Sequence, residues 1–193
     1  MKLSGSSISR AAIIVLFLVS CSRGESLCKK EFEDYVFSTE NGLLQTKVIN
    51  GQLKIVSTYQ PASLLFYGDS THVISNEDSL LRFKLSILYE GAHAIDFLGI
   101  AKILDEQVVN SSDWFKMETK KKVYPALFVQ PISYYGTVSQ MDYLLVFGAD
   151  GLSEEEEINI LFSPTSEKLS FLRSNFRFSM NDIYDIPLLK MGC

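Results

Sequence analysis

Histidine occurs only twice in these 193 residues, tryptophan once and proline five times. The longest apolar run, Ala11 to Val19, is nine residues, far short of the roughly 20 that a membrane-spanning helix needs. His72 and His93 stand at ligand spacing neither from each other nor from a cysteine, so no metal site is expected. Basic charge is also scarce, with 18 lysines and arginines against 23 acids. The one basic cluster, Lys120-Lys121-Lys122, sits between two apolar runs and reads as a turn. That balance argues against a nucleic-acid partner, because phosphate backbones select basic patches. Neither Gly-x-Gly-x-x-Gly, a Walker loop nor a Gly-x-Ser-x-Gly elbow occurs, so no nucleotide or other cofactor is expected and the chain carries no hydrolase signature.

What is present begins at the amino terminus. Lys2 and Arg10 precede the run Ala11 to Val19, which ends in Leu18-Val19-Ser20-Cys21. A basic start, a short apolar stretch and a small residue make a cleavable secretory signal. With its cysteine the pattern resembles the lipobox of bacterial lipoproteins. That resemblance implies a diacylglyceryl group on the Cys21 thiol and cleavage that leaves Cys21 as the new amino terminus. The expected organisation is a signal peptide over 1–20, a lipidated tether over 21–30 and one β-rich domain over 31–193. Extended, Ser22 to Lys30 would reach about 30 Å. Removing 1–20 leaves 16 basic and 23 acidic side chains, a formal charge of −7. About 170 residues can bury a sizeable core in one domain without metal or disulfide support. Cys28 and Cys193, near the two ends of the mature chain, can pair in an oxidising compartment. Two unpaired thiols in the tails are the alternative.

The dominant period beyond Leu43 is two. Leu53, Ile55, Ser57 and Tyr59 alternate with Lys54, Val56 and Thr58 after the turn signal Asn50-Gly51, predicting a hairpin from Leu43–Ile49 to Leu53–Tyr59. Gln60-Pro61 ends it. Leu81, Phe83, Leu85, Ile87 and Tyr89 make the clearest strand, with one apolar face and one mostly polar face. Phe32, Tyr35 and Val36 permit a helical turn or two before Asn41-Gly42. Ala94 to Val109 fits either a strand and loop or an amphipathic helix weakened by Gly99. Trp114–Glu118 and Val123–Gln130 suggest a second hairpin across the lysine turn, with Pro125 favouring an edge. Met141–Phe147 and Ile158–Phe162 suggest another pair across the acidic loop, and Phe176, Phe178 and Met180 a last strand. Many short strands without intervening helices predict an all-β fold: an antiparallel β-sandwich, immunoglobulin-like, or a barrel, with one or two short helices.

Glu40-Asn41-Gly42-Leu43, Tyr59-Gln60-Pro61, and Phe176-Arg177-Phe178 with Asp182-Ile183-Tyr184-Asp185-Ile186-Pro187 resemble motifs of small envelope lipoproteins of Bacteroidota-type bacteria. The resemblance implies a lipid-anchored all-β protein at the cell envelope; the outer membrane is the favoured location, with the choice of membrane and leaflet left open by the sequence. It brings over no catalytic residue. Each motif also has a plain structural meaning, such as Asn-Gly for a tight turn.

Chemistry-bearing candidates are few. Either histidine could supply a base, and His93, in Gly91-Ala92-His93-Ala94 after a strand end, is the better candidate around which a hydrolase acting on an envelope polymer can be drawn, with a nearby carboxylate or serine. No catalytic residue is assigned. Glu154 to Glu157 with Asp150 offer carboxylates to calcium, but without the alternating acids of a binding loop they read as a solvated acidic segment. Asp78-Ser79-Leu80 and Asn110-Ser111-Ser112 have glycosylation-acceptor form. Tyr134 and Tyr135, in a loop between Pro131 and Gly136, are the candidate binding residues, since tyrosine joins apolar area to a polar tip. The sequence thus favours a binding or assembly component with an envelope protein as its partner. An immunity or inhibitor lipoprotein that binds one protein is a further alternative.

Overall fold

In the computed structural model, residues 26–65, 79–91, 95–108, 112–132, 139–152, 157–190 and 193 are described. The hairpin read from Asn50-Gly51 forms from β2 (Leu44–Asn50) and β3 (Leu53–Tyr59), paired antiparallel. Its turn is held by the Asn50 side chain, whose Oδ1 accepts from the backbone N–H of Gln52 at 3.1 Å and Leu53 at 2.9 Å. Asparagine favours turns because it can satisfy backbone donors two and three residues on. The alternating segment that follows is β4 (Leu80–Tyr89), which pairs with β3 on one side and with β8 (Gln140–Gly148) on the other. With β7 (Phe128–Ile132) at the far edge, the first sheet runs β2-β3-β4-β8-β7.

The second sheet runs β10-β9-β5-β6, from β5 (Phe115–Glu118), β6 (Val123–Pro125), β9 (Glu157–Phe162) and β10 (Ser174–Ser179). Every pairing within these two sheets is antiparallel. They face each other across rings: Phe83 of β4 meets Phe178 of β10 at 5.0 Å between centroids, and Phe115 of β5 meets Tyr143 of β8 at 6.1 Å. The chain is therefore mostly β, an antiparallel sandwich, with Ile55, Phe83, Leu85, Phe147, Ile160 and Phe176 among its buried interior. Large aromatic and branched side chains at alternate positions supply the apolar area that drives such a stack.

Two of the expected pairings are rearranged. Val123–Gln130 is not one hairpin arm: β6 pairs with β5, and then the chain crosses through Ala126-Leu127 to place β7 in the other sheet. Met141–Phe147 and Ile158–Phe162 likewise form β8 and β9 in opposite sheets. Period two specifies which face a residue takes and is silent about which strand lies beside it. Pro125 and Pro131 both fall on edge strands, β6 and β7, where a missing N–H leaves no ladder partner unpaired.

Helices occupy the periphery. The ambiguous Ala94–Val109 stretch contains α3 (Ile95–Val108), which buries Phe97 and Leu104 and stacks Phe97 on Tyr89 at 5.8 Å. The apolar patch after Pro61 makes the short α2 (Ala62–Leu65). Among the described residues no helix is long and apolar enough to cross a membrane.

Candidate functional site

Of the segment expected as a tether over 21–30, residues 26–30 are described, and they form regular structure. Ser26–Leu27 is β1, and α1 (Lys29–Val36) starts two residues later. Lys30, the expected tether end, already lies in that helix, because Phe32 and Val36, four apart, bury one face against the core. The Glu31 side chain accepts from the Cys28 N–H at 3.2 Å, closing the helix start.

The C-terminal segment comes to the same place. After β10, α4 (Met180–Tyr184) is capped by the Ser179 hydroxyl, which accepts from the Asp182 N–H at 3.4 Å. The chain then forms β11 (Leu188–Leu189), which lies parallel to β1 with Ser26 opposite Leu188 and Leu27 opposite Leu189. The Lys190 N–H donates to the Leu27 carbonyl at 2.8 Å. Cys28 and Cys193 are joined in a disulfide with their Cα atoms 5.7 Å apart, inside the range a bridge requires. A short ladder and a covalent bond together clamp the two ends of the folded chain.

The segments that carried the lipoprotein resemblance converge beside this clamp. Gly42 closes a short turn at Thr39–Asn41 with φ of 70°, a left-handed backbone that favours glycine. A Cβ at that position would collide with the Asp182 carboxylate, so the Asn-Gly motif and the Asp-Ile motif are in contact. Asn41 donates through Nδ2 to the Tyr35 carbonyl at 2.9 Å, and the Tyr59 N–H donates to the Leu43 carbonyl at 2.8 Å. Burial, with the negative charges of Asp182 and Asp185, pushes the Tyr35 phenol above its ordinary range. Phe37, Tyr184 and Leu188, carried on the elements of this end, are each roughly half exposed. Such an end can make apolar and hydrogen-bonded contacts with a surface.

A second polar cluster lies on the outward face of the first sheet. The fully covered carboxylate of Asp142 binds Lys84 Nζ at 2.9 Å and accepts from Gln140 Nε2 at 2.9 and 3.0 Å. Burial alone would raise its pKa, yet the hydrogen bonds from Ser86, Gln140 and Lys84 and the lysine charge hold it below the usual carboxylate range. A carboxylate so engaged is a poor proton acceptor, and the cluster locks β4 to β8 across the sheet. The sequence contained both residues at outward positions of alternating segments; their adjacency follows from a strand pairing that the pattern does not encode.

Cys21, His93, Tyr134 and Tyr135 lie outside the described residues, as do Asp78, Asn110 and Glu154–Glu156. Among the described residues no three histidine, cysteine or acidic side chains gather as a metal-holding group. In comparison with known proteins, no family model matches the chain, and no curated protein or solved structure matches it either.

Proposed function

We propose that this chain is an exported lipoprotein of the bacterial cell envelope, held to its membrane through acylated Cys21 and acting as a non-enzymatic binding or assembly component. The observation that carries the reading is the placement of a lipobox cysteine five residues ahead of Ser26, the first residue of β1 in the clamp. Those residues span at most about 18 Å, so the clamped end is the membrane-proximal end and the loops at the opposite end face outward. The Cys28–Cys193 bridge agrees with an oxidising compartment beyond the cytoplasm. The half-exposed Phe37, Tyr184 and Leu188 add apolar area close to the anchor.

The reading is tested by crosslinked co-purification of the tagged full-length protein from solubilised envelopes, side by side with Cys21→Ala. It predicts a reproducible protein partner that is lost or strongly depleted when the anchor is removed. Recovery of the chain alone in both preparations would overturn the assembly role and turn attention to small-molecule or glycan ligands.

A further inference from the structure

The sandwich treats its edges unequally. On one side, β6 and β7 carry Pro125 and Pro131 within their short spans. On the other, β2 ends the first sheet as a seven-residue strand with no proline. An unpaired edge of this kind is a template for another strand.

The backbone of β2 shows what it offers. The Tyr59 N–H bonds to the Leu43 carbonyl, and the register continues with Gln45 opposite Ser57 and Lys47 opposite Ile55. In an antiparallel ladder, alternate residues turn both backbone groups to the same neighbour. Gln45 and Lys47 therefore bond to β3, and Leu44, Thr46 and Val48 turn their N–H and C=O groups outward. Among the described residues, no hydrogen bond to these outward groups is found. Their side chains share the outer face of the sheet, since they stand opposite Thr58, Val56 and Lys54, and Val48 is 57 % exposed.

We propose that β2 is a self-association edge that pairs antiparallel with β2 of a second copy about a two-fold axis through Thr46. In that register Thr46 faces Thr46 of the other copy, and Leu44 and Val48 face each other on both sides of the axis. Each of these pairs exchanges its outward N–H and C=O groups. The exposed Val48 gains a leucine neighbour, and Lys47 falls opposite Gln45. Charge selects this register over the adjacent one, because an axis at Lys47 would set two lysines directly opposite, which is unfavourable. Lys47 does not block the edge, as its Nζ is drawn over the sandwich to the Arg173 carbonyl at 3.3 Å. Such an interface is isologous and closes on itself. It joins two copies into one continuous sheet and is independent of lipid attachment.

The test uses the full-length chain with Cys21→Ala, so that Cys28 and Cys193 are paired and an added cysteine is the one free thiol. Thr46→Cys, on the axis in a hydrogen-bonded pair, should give at least about tenfold more disulfide-linked dimer than Gln45→Cys, whose side chain lies on the opposite face. Light scattering of the Cys21→Ala chain without added cysteine should give the dimer mass, and Val48→Lys should return it to monomer while keeping its circular dichroism. A monomeric mass at all concentrations, or equal crosslinking from the two cysteine variants, would overturn the proposal.

Discussion

Removing the Cys28–Cys193 bridge should lower stability about as much as truncating a large core side chain. The two cysteines are 165 residues apart, so the bond closes nearly the whole folded chain into a loop. Loop-closure entropy for that length is about 17 cal/mol/K, or about 5 kcal/mol at 25 °C, and measured losses on removing native bridges run about 2–5 kcal/mol. The β1–β11 ladder does not offset this, because it exists only in the folded state, whereas the bridge acts by restricting the unfolded one. With a urea slope of about 2 kcal/mol/M, the unfolding midpoint of Cys28→Ser should fall by about 1–2.5 M. Cys193→Ser and the double variant should give the same midpoint, and reductant added to the parent protein should reproduce it. An unchanged midpoint in reductant, or a loss in only one of the single variants, would refute the reasoning.

Three further outcomes follow from individual contacts. Gly42→Ala should cost at least about 2 kcal/mol in urea unfolding, from the left-handed backbone and the collision with Asp182; adding Asp182→Ala should restore the collision part and leave the backbone part. Ser57→Ala should stabilise the fold by about 1 kcal/mol, because the buried Ser57 hydroxyl has no hydrogen-bond partner among the described residues; a loss in thermal unfolding would contradict that account. Asp142 has its pKa lowered in the folded state, so its contribution is complete above the ordinary carboxylate pKa of about 3.9 and fades as pH falls through the lower folded value. Lys84→Met should cost about 3 kcal/mol at neutral pH by stranding that buried charge, and the deficit relative to the parent should shrink on acidification.

Local pattern carried a good part of this architecture. Alternation at Leu53–Tyr59 and at Leu81–Tyr89 identified both strands and their buried faces, because period two follows directly from the pleat. Asn50-Gly51 identified the first turn for an equally local reason, the side-chain oxygen of Asn50 reaching its own following amides. Pro125 marked an edge because a missing donor is tolerated only there. Neighbour relations were not legible. Nothing near Val123–Gln130 signals that the chain leaves one sheet at Pro125 and enters the other at Phe128, since both outcomes bury alternate residues equally well. The same holds for Lys84 and Asp142, which meet only because strands some 58 positions apart are adjacent. Near the amino terminus the polar run Ser22 to Lys30 concealed β1 and the start of α1. The placement of Ser26–Cys28 comes from distant partners, β11 and Cys193.

The clamp gives the proposed anchor a mechanical meaning. A pull on Cys21 reaches the folded body at β1, where the bridge and the β11 ladder spread the load onto the C-terminal segment and, through Gly42 and Asp182, onto the turn before β2. The most direct measurement of the central claim is radiolabelled palmitate incorporation into the full-length protein and into Cys21→Ala, followed by mass analysis of the amino-terminal peptide. The account predicts label in the parent, none in the variant, and a mature chain that begins at a diacylglyceryl-modified Cys21. Equal labelling of the variant, or an unmodified parent that begins elsewhere, would contradict it.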